Sequence, residues 1–105
     1  MNIDKIRKRF IPMSETMLYI LLSLKEERHG YGVMQYVKEL TGGRIVLGAG
    51  TIYQSLGKLE MDGLISPTRE IERKKLYLIT NIGEQILLEE AKRIQEIYRN
   101  LEALL

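Results

Sequence analysis

The chain has no cysteine, no tryptophan, one histidine and two prolines. Without cysteine there is no disulfide framework, no thiolate metal site and no cysteine nucleophile. With His29 alone, a cluster of imidazole ligands is excluded too. No apolar run approaches the ~20 residues that a membrane-spanning helix needs. Met1 is followed by charged residues rather than by an apolar stretch, so the expectation is a cytoplasmic protein without a secretory signal. Gly48-x-Gly50 lacks the further glycine and the strand–helix setting of a dinucleotide-binding loop. There is also no nucleophile–base pair and no metal-ligand spacing, so neither an enzyme nor a cofactor is expected.

What remains is a chain of 105 residues, 45% hydrophobic and 29% charged, enough for one domain with a modest core and an attached helix. The net charge of +2 hides a gradient. Residues 1–9 carry +3, residues 10–41 carry −1, residues 42–80 carry +2 and residues 81–105 carry −2. Positive charge in the N-terminal part and the middle suits a polyanionic partner.

Residues 1–12 read as a basic arm with Lys5, Arg7, Lys8 and Arg9, closed by Pro12; its cations could supplement phosphate binding. Ser14 is a helix N-cap with Glu15 in the first turn, opening a leucine-rich helix over about 15–27. His29-Gly30-Tyr31-Gly32 breaks it and begins a second helix, with His29 expected as a structural cap. Val33, Val37 and Leu40 recur on one face, and Thr41-Gly42-Gly43 ends the helix. Arg44–Leu47 is β-prone but too short to stand alone. A third helix follows Gly48-Ala49-Gly50 and stops at Asp62-Gly63. There Ile52, Leu56 and Leu59 face inward, Tyr53 sits at the margin, and Thr51, Gln54, Ser55 and Lys58 lie on or near the opposite side. Gly57, inside this helix, is expected to permit close approach to another helix or to DNA, with packing the favoured reading.

Leu64-Ile65 and Leu76–Ile79 predict a β-hairpin with a basic tip at 72–75, Pro67 lying on an outer edge. The tip lacks Gly and Asn-Gly, which predicts a long or mobile turn. Asn81 and Glu84 fit a capping box at the head of a final helix of about 24 residues, roughly 36 Å long. Leu87, Ala91, Ile94, Tyr98, Leu101 and Leu105 fall at steps of 4, 3, 4, 3, 4, a heptad seam. Tyr98 on that seam is an interface residue or lines a ligand cavity.

Three helices, a basic hairpin and a long helix spell a winged helix-turn-helix, mainly α with a small β-hairpin. A helix fits the DNA major groove, about 12 Å wide. A wing with Arg73, Lys74 and Lys75 reaches phosphates or the minor groove. Gln54, Ser55 and Lys58 are candidate base or backbone contacts. The C-terminal seam runs further than so small a core can cover, which predicts a two-fold homodimer on a palindromic operator. The expected division is a basic N-terminal arm at 1–13, a DNA-binding domain at 14–80 and a dimerisation helix at 81–105. A winged-helix protein-interaction module without sequence-specific DNA binding is the alternative.

Four motifs carry a resemblance: His29-Gly30-Tyr31; Gly50-Thr51-Ile52-Tyr53-x-x-Leu56; Leu59-Glu60-x-x-Gly63-Leu64-Ile65; and Arg73-Lys74-Lys75-Leu76-Tyr77-x-Ile79-Thr80-x-x-Gly83. In order and spacing they resemble the PadR-like transcriptional regulators over about residues 15–85. The single C-terminal helix is similar to the compact subfamily, whose prototypes are dimeric repressors. The resemblance places Thr51 and Tyr53 at the start of the reading helix, as phosphate contacts, with base contact from Thr51. It implies a double-stranded operator and a small aromatic or cationic effector between protomers. Two departures stand out. Gly48-Ala49 replaces the frequent Ser-Pro, and the lack of tryptophan removes the stacking partner of drug-sensing members.

Overall fold

The computed structural model describes residues 2–105, so Met1 of the expected arm lies outside the described residues. Among the described residues five helices and one hairpin follow in order: α1 (Ile3–Phe10), α2 (Glu15–Ser23), α3 (Gly30–Leu40), α4 (Ala49–Met61), β1 (Ile65–Ile71), β2 (Lys74–Ile79) and α5 (Asn81–Leu101). A 3-10 turn, Glu102–Leu104, extends α5. This is the winged helix-turn-helix read from the sequence, with one helix more.

The extra helix is the first correction. The residues expected to form a basic arm make α1, capped by Asn2, whose side chain accepts the Asp4 N–H at 2.9 Å. Asp4 in the first turn and Arg7, Lys8 and Arg9 in the last oppose the helix dipole favourably. Ile6 and Phe10, four residues apart, are buried in the common core. That spacing was the signal which the charges obscured.

Ser14 caps α2 as expected, accepting the Met17 N–H at 3.1 Å. The helix nevertheless stops at Ser23, not at 27. Residues 24–28 are drawn onto the outer edge of β2 instead. Leu24 O accepts the Ile79 N–H at 2.8 Å, and Arg28 and Tyr77 exchange backbone bonds of 3.1 and 2.9 Å. This covers one edge of a two-stranded sheet whose backbone groups would otherwise face water unpaired. His29 caps α3, its Nδ1 accepting the Gly32 N–H at 3.0 Å. Gly42 and Gly43, at φ 61° and 84°, end that helix. The Gly43 N–H reaches back to Lys38 O at 2.8 Å. Leu40, expected inward, is exposed.

Ile52, Leu56 and Leu59 seat α4 in the core beside Leu21, Val33 and Leu64. Gly63 (φ 79°) turns the chain into β1. The hairpin is antiparallel, with Ile65 opposite Ile79 and Ile71 opposite Lys74. A bulge falls between Pro67 and Arg69. The tip is not the long turn expected. Glu72 and Arg73 alone form it, at φ 51° and 66°, the conformation that two-residue hairpin turns require. The α5 cap also differs. Thr80, not Asn81, accepts the Gly83 N–H at 3.1 Å, while its own hydroxyl donates to Gly63 O at 2.6 Å. Gly83 lets the first turn of α5 press on Leu64: an added Cβ would lie 2.1 Å from the Leu64 carbonyl oxygen.

Candidate nucleic-acid interface

Burial of Ile52, Leu56 and Leu59 fixes which side of α4 faces away from the core. At about 100° per residue, the middle of that outward side carries Gly50, Gln54, Gly57 and Met61. Thr51 and Lys58 lie on one flank and Tyr53 on the other. All seven are exposed. No atom of the chain comes within 4 Å of a Cβ built on Gly50 or Gly57, so the expectation that Gly57 serves packing within the chain is corrected. Its place on the helix exposes backbone instead. Met61, 81% exposed, was not singled out from the sequence. Its position seven residues after Gln54 was the available signal.

Among the proposed contacts, Ser55 is corrected. It is buried, at 9% exposure, because it stands one turn before Leu59 and shares its inward side. Tyr53 is 62% exposed although its ring lies over Gly30, whose Cβ would be 3.1 Å from it. The residue is therefore both a lid on the α3 N-terminus and a surface group. Lys58 sits above the Phe10 ring, 5.4 Å from its centroid.

The wing stands beside α4. Lys75 Nζ lies 3.7 Å from Glu60 Oε2 and 5.7 Å from the Tyr77 ring centre. At its root, Glu27 accepts from Thr68 Oγ1 at 2.5 Å and Arg69 Nε at 3.0 Å. The Thr68 hydroxyl first, and Arg69 second, hold the Glu27 carboxyl below its usual range. The wing cations therefore divide. Arg69 and Lys75 are paired to acids of the same chain, whereas among the described residues Arg73 and Lys74 form no ion pair and are exposed. The cations of the expected arm divide likewise. Arg7 binds Glu89 and Asp4, and Arg9 binds Asp62, while Lys5 and Lys8 remain exposed.

The heptad residues run along α5. Leu87 is partly covered by its own core. Ala91, Ile94, Tyr98, Leu101 and Leu105 are exposed, Leu105 at 91%. Of the seam residues, Leu87, Ala91 and Ile94 border, with α2, an open groove of about 790 Å³, walled also by Leu18, Leu22, Leu88 and Ile97 and carrying the charged residues Glu15, Lys25, Glu84 and Arg93. Among the described residues no helix is long and apolar enough to cross a membrane.

Residues 17–89 match the Transcriptional regulator PadR-like family. The chain is 32% identical over 98 residues to the transcriptional regulator YqjI of Escherichia coli (strain K12), covering 92% of this chain and 47% of YqjI. It thus spans about half the length of that relative. In structure it is similar to Bacillus subtilis PadR in complex with operator DNA, with a TM-score of 0.60 and 31% identity, over 70% of this chain and 44% of that one. It is also similar in fold to a PadR family transcription regulator from Clostridium difficile, with a TM-score of 0.70 and 23% identity, over 87% and 98% of the two chains.

Proposed function

Because the chain belongs to the PadR-like family of transcriptional regulators, we propose that it is a homodimeric DNA-binding repressor, located in the cytoplasm, that reads a palindromic operator. The observation that carries this reading is the pairing of a vacant outward face on α4 with two uncommitted cations beside it. Gln54, Thr51 and Lys58 on that face reach base edges and phosphates, and the bare backbone at Gly50 and Gly57 lets the helix approach a groove closely. Arg73 and Lys74 at the wing tip meet the flanking phosphates, and Tyr53 adds a contact from the helix margin. Lys75 can join them only by leaving Glu60. Ser55 belongs to the core and not to this surface.

The dimer rests on α5. An exposed apolar seam from Ala91 to Leu105 is unfavourable in water unless a second copy covers it. Residues 14–80 then form the DNA-binding unit and 81–105 the dimerisation helix. The groove between α2 and α5, mostly apolar with Glu15, Lys25, Glu84 and Arg93 among its lining residues, suits a small aromatic effector between protomers; a cationic one would have to displace Arg44 from Glu15 or Lys25 from Glu84.

Selection of bound duplexes from a randomised pool tests the reading. The enriched sequence is expected to be two-fold symmetric, and log K against log salt to fall by about 0.9 for each phosphate contact. No enrichment and a flat salt dependence would overturn it. A protein-interaction module is the second reading, favoured by the exposed Tyr53 and Met61; absence of duplex affinity at low salt would transfer the assignment to it.

A further inference from the structure

Helix α1 touches both of the elements that the proposed function uses. At one end, Arg9 Nη1 pairs with Oδ1 of Asp62, the C-cap residue of α4, and the Phe10 ring lies under Lys58. Asp62 is itself buried, at 8% exposure. On its other side, Arg7 Nε and Nη2 bind the two oxygens of Glu89 on α5, at 2.9 and 3.1 Å. This two-pronged contact fixes orientation as well as distance. It holds the Glu89 carboxyl below its ordinary range and raises the Arg7 guanidinium further. Just after α1, the Met13 N–H donates to Oε1 of Glu90, a fully buried carboxylate on α5 whose Oε2 takes Arg93. Ile6 and Phe10 join the core between these polar contacts. The motifs of the DNA-binding unit do not require any of these residues, because all of them lie outside residues 17–89 or at positions no motif includes.

We propose that α1 is a positioning strut: it locks the reading helix α4 to the dimerisation helix α5 and thereby sets the half-site spacing that the dimer accepts. The inference rests on the homodimeric, operator-reading function proposed above. In a two-fold dimer the relation of α4 to α5 determines how far apart and at what angle the two reading helices stand. The lever is long. Across half of the molecule's 49 Å long axis, a rotation of about 8° displaces a residue by ~3.4 Å, the rise of one base pair along a strand. A few degrees of play at α5 therefore blurs the register by a sizeable fraction of a base pair. Contacts from the last turn of α1 to α5 on one side and to α4 on the other remove that play. Arg7, Arg9 and Glu89 are positioning residues, touching no base or phosphate.

The test uses the full chain and the duplex that wild-type protein selects from a randomised pool. Derivatives have the half-site spacing changed by one or two base pairs, and one carries a single half-site. Wild-type protein is expected to lose about tenfold or more in affinity per base pair of misfit. Arg7→Glu is expected to flatten that preference to threefold or less while leaving single-half-site affinity unchanged. The swapped pair Arg7→Glu with Glu89→Arg is expected to restore it. A general loss of stability would weaken all duplexes alike and would not be repaired by the swap. Should Arg7→Glu fail to fold, Arg7→Gln takes its place with the same expectation of a flattened preference. An unchanged spacing preference in the folded variant, or a swap that restores nothing, would overturn the strut. Wild-type protein that bound no duplex at all would overturn the functional reading and the strut with it.

Discussion

Gly57 stands in the middle of α4 with nothing of its own chain within 4 Å of the missing Cβ. An alanine there should stabilise the helix by about 1 kcal/mol. The gain should raise the melting temperature by roughly 4–8 °C for a domain of this size. If the outward face approaches DNA, the same methyl group should weaken duplex binding severalfold. A variant that melts higher and binds as tightly as wild type would remove Gly57 from the interface. The wing cations are distinguished in the same way. Arg73→Ala and Lys74→Ala should each weaken binding to all duplexes and reduce the salt slope by about 0.9. Lys75→Ala should cost less, because Lys75 must first give up Glu60. Conversely, Glu60→Gln should strengthen binding at low salt by releasing that lysine; competition titrations at several salt concentrations separate these outcomes.

Among the elements, α5 shows how local chemistry sets a boundary. Thr80→Ala should cost about 1 kcal/mol of stability by removing the cap hydrogen bond, and more if the Gly63 carbonyl loses its partner. Asn81→Ala should be near neutral; chemical denaturation of the two variants decides the matter. The capping-box pattern at Asn81 was a sound reading of composition. The adjacent threonine won because Leu64 O already holds the Thr80 N–H at 2.9 Å and orients it. The long-range ties made the other differences too. The helix stop at Ser23 depends on a strand edge some fifty residues away, which no local periodicity reports. The two-residue tip at Glu72-Arg73 is imposed by strand register rather than by favourable turn residues. The core face of α4, and that of α3 apart from Leu40, were legible, since burial repeats at the helical period. Inward-facing Ser55 was not, because a small polar residue at the edge of an apolar stripe fits either side. Helix α1 was hidden by its charges, although Ile6 and Phe10 carried its spacing.

For the whole molecule, the ties around α1 and the wing predict how stability answers to acid. Arg7 holds Glu89 below its ordinary range, and Thr68 followed by Arg69 does the same for Glu27. Both carboxyls bind a proton less readily in the folded chain than in the unfolded one. Their contribution is therefore full above the unfolded carboxylate range, near ~4.3, and is lost as pH falls through the lower folded values. The melting temperature should thus owe these groups no pH dependence between about 5 and 8. It should decline in acid, and less steeply in Glu89→Gln. The proposed dimer rests on the apolar seam of α5, which is exposed in the single chain. Replacing Ile94 with glutamate should therefore separate the protomers and abolish binding to a two-half-site duplex while leaving the monomer folded. The most direct measurement is the mass, by sedimentation equilibrium, of the complex formed with the selected operator at moderate salt. The predicted result is two chains per duplex; one chain per duplex, or free chain and free duplex side by side, would contradict it.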